Sequence, residues 1–397
     1  MRKKIIQINE CLNLSTGKIA QQIGESAIAH GWESYIAYSS REPRVPSKSQ
    51  VIKVGNKIDP YIHFVENRLF DMEGLASRKA TRKLVEQIKD IEPDVIQLHN
   101  LHDHWLNYKI LFEFLNETDI KVVWTFHDCW AFTGHCFHFV TKHCKKWKTG
   151  CEKCPLQREY PNTLLDRSKK NFELKKHLFT ANPNLAIVAC SEWMSDLVRQ
   201  SFLKDKRIEV IHNGIDLNVF KPSYSKPRDG VFRVLAVSNV WNKEKGYYDI
   251  LKLRELLPPE YKIIIVGLTT KQLKDLPNGI IGIQRTQNVQ EMVNLYSTAN
   301  VLINPTYADT FPTINIEALA CGTPVITYKT GGSPEIIDDN TGIVIEQGNL
   351  EALAYALEHL KNNPFNPYEC RQRAERLYNK KERFEDYITL YQHLLKE

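Results

Sequence analysis

Short apolar runs rich in β-branched residues alternate along the chain with longer stretches in which apolar residues recur at helical spacing. Between the first two runs, Ile19, Ile23 and Ala27 fit one face of a helix, and Gly31 stands where that helix should end. Runs that are apolar at consecutive positions are typical of strands buried on both faces of a parallel sheet. In the first half of the chain the predicted strands are 4–8, 35–38, 94–98, 122–126, 185–189 and 208–211.

The same alternation resumes after a polar segment, residues 216–230, whose Pro222 and Pro227 predict an exposed linker. Alternating strands and helices favour doubly wound parallel sheets. We therefore predict an α/β fold with two Rossmann-like domains, followed by a C-terminal helix that packs back on the first domain. The predicted domains are 1–217, 218–375 and 376–397. The predicted strands of the second domain are 232–237, 261–266, 301–304 and 324–327, and the predicted helices are 289–299, 313–320, 350–360, 368–378 and 382–395.

Composition narrows the class of protein. The chain has 397 residues, of which 42% are hydrophobic and 25% charged, as in a soluble globular protein. Its net charge of +6 is small for a basic nucleic-acid binder, so we expect no nucleic-acid partner. No apolar run approaches the ~20 residues that span a bilayer, and the start of the chain turns polar too early for a signal peptide. We expect a cytoplasmic location.

Two carboxylates, Asp309 and Glu317, lie eight residues apart around the start of a predicted helix. The first turn of a helix offers unpaired N–H groups and a partial positive charge, both of which suit a phosphate. Carboxylates accept hydrogen bonds from sugar and ribose hydroxyls. The alternative is purely structural, with Glu317 as a solvated helix residue and Pro312 as an ordinary first-turn proline.

The sequence around this pair closely resembles the acid-x7-acid signature of glycosyltransferase family 4, with Asp309 in place of the usual first glutamate. By this resemblance Asp309 contacts hydroxyls of the transferred sugar, and Glu317 contacts the ribose. The donor site then also includes Phe311, Pro312 and Thr313. The resemblance implies a GT-B fold, with two Rossmann-like domains facing a central cleft, the acceptor on the first domain and the nucleotide sugar on the second. It also implies retention at the anomeric carbon, without any cofactor required for the chemistry.

Residues of the first domain resemble further family elements. Gly17 follows the first strand, like the family glycine near the donor phosphates. His127 ends a predicted strand, like the family histidine that contacts the donor sugar near the reacting carbon, which gives it a catalytic role. A core histidine bonded to a backbone carbonyl is the alternative. The strand-end residues Asn100, His102 and Asp128 are predicted on the acceptor side.

Residues of the second domain complete the resemblance. Lys245, in a Glu-Lys-Gly sequence, resembles the lysine that neutralises the diphosphate, so the resemblance makes it catalytic together with Asp309. The family usually has an arginine five residues earlier, where this chain has Val240. Lys243 is the expected substitute in the donor site. The sequence Gly-Gly-x-x-Glu at 331–335 matches a late family step beside the nucleotide.

Four cysteines, Cys136, Cys144, Cys151 and Cys154, fall within a predicted Cys-rich insertion, residues 129–160. Without an export signal, such thiols indicate reduced cysteines or a metal site. Four close thiolates suit a structural, tetrahedral zinc ion, which would leave no open position for substrate. A reduced, metal-free loop is the alternative. Replacement ligands in the same region are Cys129, His135, His138 and His143.

Together these features predict a retaining glycosyltransferase of the bacterial surface-polysaccharide type. The expected partners are a UDP- or GDP-sugar donor and a glycan or lipid-diphosphate-linked acceptor. Lysines in the insertion indicate either a solvated face or peripheral contact with the inner face of the membrane. These lysines are Lys142, Lys145, Lys146, Lys148 and Lys153.

Other classes of protein explain fewer of the residues. A GT-B epimerase, hydrolase or phosphorylase would share the fold. A nicotinamide oxidoreductase would need a GxGxxG sequence, which does not follow the first strand. A zinc-ribbon module that binds nucleic acid would account for the cysteines and lysines, but it leaves Asp309 and Glu317 without a role.

Overall fold

A computed structural model describes residues 2–223 and 229–397 of the chain. The chain folds into two compact units, one formed by Met1–Ile211 with Phe384–Glu397 and the other by His212–Arg383. The predicted functional domains 1–217, 218–375 and 376–397 stay predictions, because compactness alone does not delimit a ligand-binding domain. No helix in the described ranges combines the length and the apolarity needed to cross a membrane.

The first unit is built around a parallel sheet. Its strands are β1 (Lys4–Ile8), β2 (Glu33–Ser39), β3 (Gln50–Val54), β4 (Val95–Leu98), β5 (Lys121–Phe126), β6 (Leu185–Ala189) and β7 (Arg207–Val210). Its helices are α1 (Ser15–Ala29), α2 (Asp59–Phe70), α3 (Arg78–Ile91), α4 (Tyr108–Asn116), α5 (Ser168–Ala181) and α6 (Glu192–Arg199). In the described residues the strand order is β3-β2-β1-β4-β5-β6-β7. The strands that follow β1 in sequence first lie on one side of it, as β2 and β3, and then on the other side, beginning with β4.

The second unit repeats this plan. Its strands are β8 (Phe232–Val237), β9 (Tyr261–Val266), β10 (Ile280–Ile283), β11 (Val301–Asn304), β12 (Val325–Tyr328) and β13 (Gly342–Ile345). The remaining helices of the chain are α7 (Tyr247–Leu256), α8 (Thr270–Lys274), α9 (Val289–Thr298), α10 (Thr313–Ala320), α11 (Ser333–Ile336), α12 (Leu350–Asn362), α13 (Pro367–Tyr378) and α14 (Lys380–Leu394). The described strands are parallel, in the order β10-β9-β8-β11-β12-β13.

Both sheets confirm the predicted α/β class with doubly wound parallel strands. Each sheet has a switch point, between β1 and β4 in the first unit and between β8 and β11 in the second. At such a point the loops after the carboxyl ends of the two strands diverge and leave room for a ligand. The candidate site residues of each unit follow these strands or their neighbours.

The C-terminal residues Phe384–Glu397 belong to the core of the first unit. Phe384, Tyr387 and Tyr391 are buried in one cluster with apolar side chains of β1, β4 and β5. The Tyr391 hydroxyl donates a hydrogen bond to Gln97 Oε1 at 2.8 Å. These aromatic side chains therefore cover one face of the first sheet.

The described start of the predicted linker, residues 216–223, is attached to the second unit. Arg371 of α13 donates hydrogen bonds to the carbonyl oxygens of Phe220 at 2.6 Å and Leu217 at 3.1 Å. Pro227 lies outside the described residues. Lys380 Nζ also lies 2.7 Å from Asp216 Oδ2, and the Ser223 N–H donates to Ser297 Oγ at 3.2 Å. Several contacts therefore hold this segment.

Candidate active site

An ion pair joins two loops of the second unit. Lys245 lies in the loop after β8, and Asp309 lies in the loop between β11 and α10. Lys245 Nζ is 2.6 Å from Asp309 Oδ2 and donates a second hydrogen bond to the Ala308 carbonyl oxygen at 3.3 Å. About a third of the lysine side chain and a fifth of the aspartate side chain are exposed, at 34% and 22%. The pair is therefore ordered by the protein and still accessible to a ligand.

Gly246 brings these two loops together. It has a φ of +73°, and a Cβ at this position would lie 2.1 Å from the Pro305 carbonyl oxygen, so no other residue fits without displacing backbone. Next to it, the Glu244 carbonyl oxygen accepts a hydrogen bond from the Tyr307 N–H at 2.7 Å. The glycine of the Glu-Lys-Gly sequence thus sets the distance between Lys245 and the 305–309 loop.

Gly331 supports the aspartate from the other side. Its φ is +53°, and a Cβ here would approach the Asp309 carbonyl oxygen to 1.8 Å. The following Gly332 N–H donates to the Thr310 carbonyl oxygen at 3.0 Å. The Gly-Gly step, which follows β12, therefore packs directly beneath the backbone that carries Asp309.

Glu317 lies on α10, and a buried tyrosine fixes its orientation. The Tyr296 hydroxyl donates to Glu317 Oε2 at 2.8 Å. Burial, and then the charge of Glu317, raise the pKa of Tyr296 well above its usual value, so the hydroxyl stays a donor. Glu317 itself is half-buried, and this contact fixes one oxygen of its carboxylate. This arrangement differs from that of a freely solvated helix residue.

The other predicted donor-binding residues of this unit occupy different environments. Phe311 is buried and stacks on His212, with ring centroids 4.8 Å apart and planes 4° from parallel. Pro312 immediately precedes α10 and is buried. Thr313 is the first residue of α10 and is half-buried. Lys243 is exposed on the Lys245 loop.

His212 was not found by reading the sequence, although it comes soon after β7 and a strand-end signal could have indicated it. Its Nε2 lies 3.8 Å from Glu335 Oε2, and its ring also makes an edge contact with Tyr378. Phe311 and His212 together hold the segment between Asp309 and α10 in place.

In the first unit, hydrogen bonds fix the protonation pattern of two histidines. Gln7 Nε2 donates to the Ala20 carbonyl oxygen at 2.6 Å, so its Oε1 is the atom that faces His99 Nε2, at 3.2 Å. His99 Nε2 must therefore carry the proton, and its Nδ1 accepts from His127 Nε2 at 3.2 Å. Burial, and less strongly the charge of His102, lower the pKa of His127 to about 4 against the raising effect of Asp128. His127 is thus an uncharged imidazole at neutral pH.

His102 and Asp128 form a buried ion pair next to this chain of hydrogen bonds. His102 Nε2 is 2.7 Å from Asp128 Oδ2, and Asp128 Oδ1 accepts from the Trp130 N–H at 2.8 Å. Burial alone raises the pKa of Asp128, but the pairing with His102 outweighs it and lowers the pKa to about 2. Asn100 precedes this pair in the loop after β4, and its N–H donates to Asn9 Oδ1 at 3.3 Å. The structure thus brings His102, Asp128 and His127 together at the carboxyl ends of β4 and β5.

Acid should destabilise the first unit through its buried neutral histidines. Burial lowers the pKa of His63 and of His127 from 6.5 to about 4, and burial lowers the pKa of His99 well below its usual value. Between these values the unfolded chain binds protons that the folded chain does not, so stability falls as the pH drops from about 6.5 toward about 4. The loss should reach roughly 3 kcal/mol for His127 alone.

Urea unfolding followed by tryptophan fluorescence measures this loss, because six of the seven tryptophans lie in the first unit. His127→Asn should reduce the slope of stability against pH, whereas His143→Asn, at an exposed position, should leave it unchanged. Equal slopes for wild type and His127→Asn would show that His127 is not buried in its neutral form.

Gly17 lies inside the first turn of α1. A Cβ at this position would lie 2.5 Å from the Leu12 carbonyl carbon and 2.8 Å from the Cys11 carbonyl oxygen. The glycine is thus required by the close approach of the helix to its own preceding loop. A contact of Gly17 with donor phosphates stays a prediction.

The four cysteines of the insertion line one cavity with Phe139 and Trp147, but they do not form the predicted ligand set. In the described residues no three His, Cys, Asp or Glu side chains are arranged to hold a metal ion. Two of the thiols bond each other: the Cys136 thiol donates to Cys154, which lowers the pKa of Cys154 to about 7. The Gly134 N–H donates to Cys151 at 3.3 Å. Zinc therefore has no support from this arrangement.

A buried lysine organises the start of the same loop. Lys175 of α5 donates to the carbonyl oxygens of Trp130 at 2.7 Å and Thr133 at 3.1 Å, and its Nζ lies 3.4 Å from the centroid of the Trp130 ring. Burial lowers the pKa of Lys175 to about 7. The sequence does not distinguish Lys175 from the exposed lysines around it, because no local pattern shows that it points inward.

Comparison with known proteins identifies the family. The sequence profile of Glycosyltransferase Family 4 matches residues 17–219, and the profile of Glycosyl transferases group 1 matches residues 225–383. Since the first profile alone spans half of the chain, the protein belongs to glycosyltransferase family 4. It is a glycosyltransferase with the GT-B fold, as the resemblance of its motifs predicted.

Individual relatives agree with this assignment. The putative colanic acid biosynthesis glycosyl transferase WcaC of Escherichia coli K12 is 24% identical over 401 aligned positions, which cover 95% of this chain and 96% of WcaC. Sucrose-phosphate synthase from Thermosynechococcus elongatus has a TM-score of 0.75 at 18% identity, with 100% of both chains covered. Anabaena HepE in complex with UDP-glucose has a TM-score of 0.62 at 15% identity, covering 99% of this chain and 98% of HepE. The structural likenesses establish the fold.

Proposed function

We propose that this protein is a retaining glycosyltransferase that transfers a sugar from a UDP- or GDP-sugar to a glycan or lipid-diphosphate-linked acceptor in surface-polysaccharide biosynthesis. It would act in the cytoplasm, at the inner face of the membrane. The observation that carries the proposal is the accessible Lys245–Asp309 pair, 2.6 Å apart, at the switch point of the second sheet. A cation and a carboxylate side by side can bind the two ends of the bond that breaks, the diphosphate and the sugar.

Lys245 would stabilise the charge that grows on the leaving diphosphate, and Asp309 would accept hydrogen bonds from hydroxyls of the transferred sugar. The bond from the anomeric carbon to the phosphate oxygen breaks, and a bond to the acceptor oxygen forms on the same face. The acceptor proton passes to the leaving diphosphate, so no protein base is assigned. The resemblance to the family implies that no divalent metal is required at the diphosphate.

On the acceptor side, His127 would contact the donor sugar near the reacting carbon. An uncharged imidazole can hydrogen-bond a sugar hydroxyl without needing a counter-ion. Asn100, His102 and Asp128 would face the acceptor, where the ion pair of the latter two fixes the loops after β4 and β5. The name of WcaC supports a role in polysaccharide assembly, and the HepE complex with UDP-glucose supports a uridine nucleotide.

A panel of UDP- and GDP-sugars tests the proposal. With chelator present and no acceptor, we expect slow release of nucleoside diphosphate from at least one donor, because glycosyltransferases pass sugar to water inefficiently. Addition of a lipid-linked oligosaccharide extract should accelerate the release. Release that no acceptor accelerates would instead identify a GT-B hydrolase if the sugar is otherwise unchanged, and a GT-B epimerase if the configuration at another ring carbon is changed.

Glu317 provides a separate prediction about donor binding. Glu317→Ala should weaken nucleotide binding by about 1–3 kcal/mol, the usual loss for a charged hydrogen bond to a ligand. Tyr296→Phe is the matched control, because it removes only the hydroxyl that orients Glu317 and should cost less. Isothermal titration with UDP and GDP measures both. Unchanged affinity in Glu317→Ala would exclude the ribose contact.

A further inference from the structure

Helix α2 has its polar and apolar faces reversed. Its buried residues are Pro60, His63 and Asn67, two of which are polar. Its exposed residues are almost all apolar, with exposed fractions from 39% to 72%. They are Tyr61, Ile62, Phe64, Val65, Leu69 and Phe70. A surface helix normally buries its apolar face, so this one presents a surface that another apolar phase should cover.

Hydrogen bonds fix α2 in this orientation. His63 Nε2 accepts from the Gly74 N–H at 3.1 Å, so its Nδ1 carries the proton and donates to Ser77 Oγ at 2.9 Å. Asn67 Nδ2 lies 3.1 Å from His104 Nε2. Turning the helix to bury its apolar face would break all three contacts and leave buried polar groups unsatisfied. The exposed apolar face is therefore built into the unit.

The segment 160–165 extends the same face. The Leu164 N–H donates to the Arg68 carbonyl oxygen at 2.8 Å, and Arg68 Nη1 donates to the Asn162 carbonyl oxygen at 2.8 Å. This segment therefore runs beside the C-terminal half of α2. Its exposed apolar residues are Tyr160 at 63%, Leu164 at 48% and Leu165 at 56%. We call the exposed residues of α2 and of 160–165 the apolar face.

Basic side chains predominate among the exposed charges near α2, although Asp166 beside Leu165 and Glu86 on α3 are also exposed. Between residues 57 and 85 every exposed charged side chain is basic, whereas each aspartate and glutamate is half-buried or buried. Glu66 of α2, for example, is paired with Arg78 at the start of α3, at 3.8 Å. The exposed basic residues are Lys57, Arg78, Lys79, Arg82 and Lys83. Apolar side chains flanked by lysine and arginine suit the boundary of an anionic bilayer.

We propose that the apolar face of α2 and 160–165 inserts into the headgroup boundary of an anionic phospholipid membrane. This proposal rests on the proposed function, because it explains how a lipid-diphosphate-linked acceptor reaches the first unit. The face adjoins the acceptor-side loop: Tyr160 donates a hydrogen bond to Asp103, and the Phe64 ring contacts His104 at 5.5 Å between centroids. An acceptor in the membrane would thus lie next to the loop that carries Asn100 and His102.

Vesicle co-sedimentation of the full chain tests this inference without donor or acceptor. The wild type should bind vesicles of phosphatidylglycerol and phosphatidylcholine, and it should bind pure phosphatidylcholine weakly. Tyr61→Ser/Ile62→Ser/Val65→Ser, at positions 72%, 52% and 51% exposed, should lower the partition coefficient by on the order of tenfold or more. The matched control Tyr355→Ser/Leu256→Ser/Val289→Ser, at positions 70%, 51% and 50% exposed in the second unit, should bind like the wild type.

Equal vesicle binding by the α2 variant and the control would overturn the proposal. So would a wild-type dimer in analytical ultracentrifugation that the α2 variant dissociates while vesicle binding stays unchanged, since a second copy would then cover the apolar face. Nucleotide-sugar hydrolysis, measured separately in solution, should be equal in all three proteins. Vesicle binding without any hydrolysis would reject the proposed donor and reaction and leave the proposed membrane surface standing.

Discussion

Lys245→Ala should lower kcat by about 100- to 1,000-fold while the Kd for donor rises much less. The cation at this position is 2.6 Å from Asp309, so it is placed before substrate arrives and does not have to move as charge grows on the diphosphate. Such a group stabilises the transition state more than the ground state. Its removal also leaves Asp309 unpaired close to the phosphates, which adds repulsion.

Two variants separate these effects. Lys243→Ala removes an exposed lysine of the same loop and should have a small effect on kcat. Lys245→Ala/Asp309→Asn should lose less than the sum of the two single variants, because the two side chains act as a pair. Single-turnover kinetics with saturating donor measures both. A rise in KM with an unchanged kcat would make Lys245 a uniform binding residue.

Gly331→Ala should nearly abolish activity and destabilise the second unit by on the order of 3 kcal/mol. A Cβ here would approach the Asp309 carbonyl oxygen to 1.8 Å, so the loop that carries Asp309 must shift. A displacement of about 1 Å at a reacting centre can cost roughly 100-fold in rate. Activity should therefore fall even at temperatures at which the variant is fully folded.

Gly230→Ala is the matched control for this change. Gly230 also has a positive φ, +72°, but open space surrounds the position of its Cβ. This substitution should cost only the backbone strain, roughly 1–2 kcal/mol, with kcat unchanged. If both variants retain full kcat in the folded state, the contact of Gly331 with Asp309 does not position the aspartate.

The interior strands were predictable, whereas three of the four edge strands of the described sheets were not; the fourth edge strand, β7, was predicted. The predicted strands correspond to β1, β2, β4 to β9, β11 and β12. The missed strands, β3, β10 and β13, all lie at sheet edges, where one side of the strand is not paired. The sequences of these three strands lack a continuous run of large apolar residues. Residues 50–54 include the polar Gln50 and Lys53, and both 280–283 and 342–345 contain a glycine. A continuous apolar run is typical of interior strands whose two faces are both covered by other parts of the protein.

Candidate site residues could be named from the sequence where they belong to local motifs, and their roles stay predictions. Lys245, Asp309 and Glu317 stand in short motifs whose spacing is visible in the chain. Their supporting contacts join distant residues, such as Tyr296 with Glu317, and no spacing rule connects them. The same limit applies to Gln7, which sets the tautomer of His99 from 92 positions away.

Two other predictions depended on assumptions about side-chain direction. Four close cysteines suggested a tetrahedral zinc site, but the thiols line a cavity with Phe139 and Trp147, and among the described residues no three such side chains are arranged to hold a metal ion. The lysines of the insertion were interpreted as either a solvated face or a membrane contact, and both stay predictions; the apolar face on α2 was not found from the sequence. A helical apolar pattern is normally taken as the buried side, and only tertiary contacts of His63 and Asn67 reverse it.

A crystal structure of the protein soaked with UDP tests the central claim most directly. We predict the diphosphate beside the Lys245–Asp309 pair, with a phosphate oxygen about 3 Å from Lys245 Nζ and the ribose hydroxyls facing Glu317. Density for the diphosphate on the lysines of residues 142–153 instead, with none near Lys245, would contradict the assignment of the donor site to the second unit.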